Sequence, residues 1–133
     1  MNNSLISNTN DFYHSNMWIE NGILFGKYKT DIVIDLQVAK DIVNDRKTVS
    51  KGILRPCFID VTEVLCIDTP GRRYLASSEA CEFLSAGAIY STNPLLRLVG
   101  NAFIILDRPL IPSKVFNNRE QGIRWLEPFK NLN

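Results

Sequence analysis

The sequence holds one histidine and three cysteines in 133 residues, and neither residue type is spaced for metal or disulfide chemistry. A single imidazole, His14, excludes any mechanism that needs two, and no CxxC or HxxxH pair supplies the ligands of a zinc site. The odd cysteine set, Cys57, Cys66 and Cys81, argues against a secreted disulfide framework and fits a reducing cytoplasm. Each cysteine has apolar neighbours, which predicts three buried thiols acting as small hydrophobes. Long apolar runs are missing too. The longest, 102–106, is far short of the ~18 residues a membrane span requires, so no integral membrane segment is expected. The start, Met1-Asn2-Asn3-Ser4-Leu5, lacks the basic and apolar regions of a signal peptide. Nor is there charge of one sign to spare. Lys+Arg 15 against Asp+Glu 14 leaves +1, which offers nucleic acid no basic surface.

Catalytic signatures are equally sparse. No G-x-G-x-x-G or G-x-x-x-x-G-K-[ST] run is present to cradle a phosphate, so no cofactor is expected. No G-x-S-x-G elbow exists, and His14 has only Asp11 and Ser15 beside it in sequence. The carboxylates Asp60, Glu63 and Asp68 are scattered, and Asp35, Asp41 and Asp45 fall on a solvated helix face.

What is present reads as one α/β domain. The apolar share of 45% and charged share of 22% are ordinary for a globular chain. Residues 1–11, polar and rich in Asn and Ser, are expected to form a flexible tail, and 12–133 a single domain. Asn21-Gly22 between two alternating runs predicts an antiparallel hairpin of strands 12–20 and 23–29. From Asp35 the period lengthens to about 3.6, placing Leu36, Ala39, Ile42, Val43, Arg46 and Val49 on one helix face. Asp35 caps that helix and Gly52 stops it. Residues 57–61 read as a buried strand, followed by an apolar connector over 62–68. Thr69-Pro70 predicts a helix running to about Ala80, with Thr69 as its cap. Ser85–Tyr90 suits a central strand, Asn93-Pro94 opens another helix, Lys114–Phe116 is a short strand, and Asn117 or Asn118 caps a last helix. Alternating strands and helices after a hairpin predict a single mixed sheet with helices packed on it and right-handed parallel crossovers.

The stretches GILFGKYK (22–29), FIDVTEVLCIDTPGRRYLAS (58–77) and VFNNREQGIRWL (115–126) resemble the SpoIIAA-like fold over residues 12–130. That fold is shared by STAS domains, the anti-sigma factor antagonists, and by small bacterial proteins related to CRAL-TRIO lipid-transfer domains. In the closing segment Asn117 stands for the usual Thr and Gly122 for the usual Ala. The resemblance implies a fold more than an activity. In phosphorylatable STAS proteins an Asp-Ser-Ser-Gly turn carries the switch serine. Asp68-Thr69-Pro70-Gly71 matches it here, which puts Thr69 at the phosphoacceptor position, with a plain helix cap as the alternative role.

One ligand site is predicted where open α/β sheets bind, beyond the carboxyl ends of parallel strands. Thr69, Arg72 and Arg73 at one helix start, with Asn93 and Arg97 at the next, would hold an anion. Leu95, Leu96, Leu98, Val99, Phe103 and Ile105 would line an apolar pocket beside it. The alternative is ordinary core with solvated or paired arginines. The leading expectation is a non-enzymatic cytoplasmic domain binding a lipid-like, apolar and anionic small molecule or a regulatory protein partner. A STAS-type regulator switched at Thr69 is the alternative, and an enzyme without a recognisable motif comes third. Phe12, Tyr13, Met17 and Trp18 are more apolar than a solvated edge needs and predict a homodimer through the hairpin or an exposed helix face.

Overall fold

The computed structural model describes residues 9–130. Strands β1 (Asn10–Asp11), β2 (Ser15–Glu20) and β3 (Ile23–Tyr28) pair antiparallel in succession. Asn21 and Gly22 turn β2 into β3 with φ of 51° and 80°. Two adjacent positive φ values are what a two-residue type I′ loop requires, which is why this pair is Asn-Gly. The strand predicted over 12–20 is broken by a bend at Phe12–His14, where the Phe12 amide donates to the Ser15 carbonyl at 2.8 Å. Asn10 and Asp11 therefore lie on the sheet, opposite Met17 and Asn16, where a tail was expected. Residues 1–8 of that tail lie outside the described residues.

The chain continues through β4 (Val33–Ile34), α1 (Leu36–Ser50), β5 (Arg55–Asp60), β6 (Cys66–Ile67), α2 (Thr69–Leu75) and α3 (Ser78–Cys81). It ends with β7 (Leu84–Tyr90), α4 (Pro94–Ala102), a π-helical turn (Phe103–Asp107), β8 (Ser113–Phe116), α5 (Arg119–Leu126) and a 3₁₀ turn (Glu127–Phe129). The main sheet runs β1-β2-β3-β5-β7-β8, and β3, β5, β7 and β8 are mutually parallel. Mixed α/β architecture with one main sheet is as the sequence predicts. A second, two-stranded parallel sheet, β4–β6, is additional.

Period-two alternation sends strand side chains to two cores. On one face Met17, Leu24, Tyr28 and Cys57 pack against Ala39, Ile42 and Val49 of α1 and Leu96 of α4. On the other, Ile23, Phe25, Phe58, Ala88 and Phe116 pack under Leu126 of α5. Full burial of each large apolar side chain contributes about 1.5–3 kcal/mol. α5 sits unusually close to this second face. A Cβ at Gly122 would come within 2.8 Å of a Phe58 ring carbon and 3.3 Å of Phe116. The two rings fill the space of the alanine methyl usual in the resembled fold.

Three local expectations change. The helix expected from Thr69 to about Ala80 is two helices, because the Ser77 hydroxyl accepts from the Ala80 amide at 3.2 Å and caps a new start. The cap of α2 is Asp68, whose carboxylate accepts from the Gly71 amide at 2.8 Å, and Thr69 moves to the first helical position. The connector over 62–68 buries Val64 but exposes Leu65 and Cys66, because β6 pairs only with β4 and not with the main sheet. Cys57 and Cys81 are buried, so the expectation of three buried thiols fails at Cys66. The basis for a homodimer also weakens. Met17 is buried, Phe12 packs against the α1 core and Trp18 stacks on Phe25, leaving Tyr13 as the one fully exposed side chain of the four.

Candidate functional site

Between the sheet and helices α1, α2 and α4 lies a cavity of about 170 Å³. Its floor is built by Tyr28, Cys57, Ile59, Gly87 and Ile89 from three parallel strands. α1 contributes Ile42, Val43 and Arg46, while Leu96, Val99, Gly100 and Phe103 come from α4 and the π turn. Those last four recur at i, i+3, i+4 and i+7, the inner face of one helix. Small residues keep the space open. A Cβ on Gly87 would sit at ordinary contact distance, 3.6 Å, from Cys57 Sγ and Ile111 Cδ1. Protein interiors normally pack to crystal density, so a void of this size is a feature to account for.

Two charged groups line this largely apolar wall, Arg46 and Arg72, and Arg46 is the one with no carboxylate partner. Arg46, on α1, is 4% exposed. Its Nη2 donates to the Ala80 carbonyl at 2.8 Å, whereas Nη1 is buried with no hydrogen-bond partner. None of the ion pairs among the described residues includes it. Its ionisable neighbours in the cavity do not supply an anion either. Burial pushes the Cys57 thiol up to about 12, against a small opposing pull from Arg46. Burial likewise raises the Tyr28 phenol above its ordinary range. Both stay protonated at neutral pH. Burial in turn weakens the hold of Arg46 on its proton, partly countered by Cys57 and Tyr28. Arg46 is the one functional candidate that sequence reasoning put in place without recognising. A charge in the middle of the apolar stripe Ala39, Ile42, Val43, Val49 was the available signal.

The residues predicted as an anion site are otherwise engaged. Arg72 lines the cavity, but its guanidinium pairs with the buried carboxylate of Asp107 and ties α2 to the π turn. Arg97 Nη1 donates to the Ser91 carbonyl at 3.0 Å. Asn93 caps α4, accepting from the Leu95 amide at 3.0 Å. Thr69 and Arg73 are exposed on the short α2. Of the apolar set, Leu96, Val99 and Phe103 line the cavity, whereas Leu95, Leu98 and Ile105 face solvent at 67%, 67% and 69% exposure. The difference is helical phase: Leu95 and Leu98 lie on the outer side of α4. Among the described residues no helix is long and apolar enough to cross a membrane.

Comparison with known proteins fits this architecture. The family model described as a domain of unknown function, DUF7793, matches residues 17–130. Among solved structures, an uncharacterized DUF3478-family protein with a SpoIIAA-like fold from Shewanella loihica PV-4 is similar, with a TM-score of 0.60 at 14% identity. The match covers 88% of this chain and 98% of that one. At that identity the likeness shows the fold, which is SpoIIAA-like. No curated protein matches the sequence.

Proposed function

This chain belongs to the DUF7793 family, and we propose that it is a cytoplasmic, non-enzymatic binding domain that takes a small apolar ligand into the cavity beneath α1 and α4. The observation that carries this reading is the cavity itself, about 170 Å³ and walled largely by aliphatic and aromatic side chains. A dry engineered cavity of ~150 Å³ binds benzene. The volume therefore narrows the lipid-like ligand expected from sequence to a molecule whose hydrocarbon part is about that size. Two buried unpaired thiols support a reducing location. Switching at Thr69 is the weaker reading, since Asp68 already caps α2 and Arg72 is held by Asp107.

The test is a methyl-resolved NMR titration with benzyl alcohol. Saturable shifts at Leu96, Val99 and Ile89, with little change at the exposed Leu95 and Leu98, are the expected result. Uniformly unmoved cavity methyls up to millimolar probe would refute the reading.

A further inference from the structure

Arg46 stands out because it satisfies none of the usual conditions for a buried cation. It does not reach solvent at 4% exposure. It has one backbone acceptor, the Ala80 carbonyl, and no carboxylate. Its Nη1 is buried without a partner. A buried charge left unpaired is costly, and proteins that retain one generally pair it or use it. Here it lines a cavity whose other walls are almost wholly apolar apart from Arg72, which is already paired with Asp107. The planar guanidinium is the side chain best shaped to receive a carboxylate.

Resting on the binding reading above, we infer that Arg46 is the anion anchor of the cavity and that the ligand is a small apolar monocarboxylate. Its carboxylate accepts a charge-assisted hydrogen bond from the Arg46 guanidinium, and its hydrocarbon part lies against Ile59, Ile89 and Val99. A hydrocarbon part of about 170 Å³ fills the space, so the fitting class is aromatic or short branched acids. Binding would neutralise the buried charge, whereas an uncharged analogue of the same shape would gain only the apolar contact.

Isothermal titration of the full chain with benzoate and with benzyl alcohol separates the two claims. Charge-assisted hydrogen bonds predict that benzoate binds the native chain at least about tenfold more tightly. Arg46→Met should erase that preference, so that benzoate and benzyl alcohol bind the variant within about twofold of each other. Should the variant fail to fold, the native comparison still decides. Equal affinity for benzoate and benzyl alcohol overturns the anchor and leaves the apolar cavity reading standing. Undiminished benzoate binding by a folded Arg46→Met chain places the anion elsewhere and overturns the anchor. Binding of neither probe overturns both.

Discussion

At the scale of single residues, the tightest constraint is Gly71 in the first turn of α2. A Cβ there would lie 2.6 Å from the Ile34 carbonyl oxygen and 3.0 Å from the Asp35 carbonyl carbon, and backbone cannot swing aside. Gly71→Ala should therefore cost about 1–3 kcal/mol, at the upper end for overpacking. Asp68→Ala, which removes the cap, should cost ~1 kcal/mol, and Thr69→Ala, exposed and uncapping nothing, less than ~0.5 kcal/mol. Urea denaturation of the three variants checks the ranking. Sequence alone assigns the cap to Thr69, because Thr-Pro is a good start signal and an Asp one residue earlier reads just as well as a loop acid. What separates them is the strand pairing that holds Asp68, its amide donating to the Ile34 carbonyl at 3.0 Å. Arg46 was legible as a position on the inner face of α1. Its meaning was not, since long cations on apolar stripes usually reach water, and only tertiary packing shows that this one does not.

At the scale of elements, local chemistry was readable and non-local pairing was not. The Asn21-Gly22 hairpin, the Asp35 cap of α1 and the Asn93-Pro94 start of α4 follow from a few adjacent residues, and each stands as expected. The β4–β6 ribbon has two residues per strand, too few to show a period. The split between α2 and α3 hides inside a continuous helical pattern until Ser77 is seen to cap. The end of α1 holds a further prediction. Lys51, not Gly52, takes the left-handed C-cap conformation first, with φ of 53° and its amide on the Lys47 carbonyl at 3.1 Å. A β-carbon in that region costs roughly 1–2 kcal/mol. Lys51→Gly should therefore raise stability by up to about 1 kcal/mol after the entropy cost of glycine, seen as a higher midpoint in chemical denaturation.

For the whole molecule, the two acids buried beneath α1 predict a loss of stability at alkaline pH. Cys57 has an ordinary value of 9.0 and is raised to about 12, and Tyr28 is raised above its ordinary 10.0, both chiefly by burial. Below about pH 9 both groups are protonated whether the chain is folded or not, and their contribution is intact. Above that, the unfolded chain releases protons that the folded chain retains, so stability falls as pH rises toward the folded values. Stability measured across alkaline pH should begin its decline near pH 9 in the native chain, and in Cys57→Val near pH 10, where Tyr28 and Tyr74 take over. An unchanged onset in the variant would assign the decline to other groups.

The void beneath α1 and α4 also makes the fold compressible. Unfolding eliminates internal empty space, and the roughly 20–100 mL/mol by which domains shrink when they unfold scales with that space without equalling it. Hydrostatic pressure should accordingly unfold this chain more readily than its chemical stability alone would indicate. Gly87→Ala adds a methyl at ordinary contact distance inside the void and should shift the pressure midpoint upward, followed through the fluorescence of Trp18 and Trp125. A bound guest occupying the same space should have the same effect, so the molecule's response to squeezing reports directly on whether its interior is full.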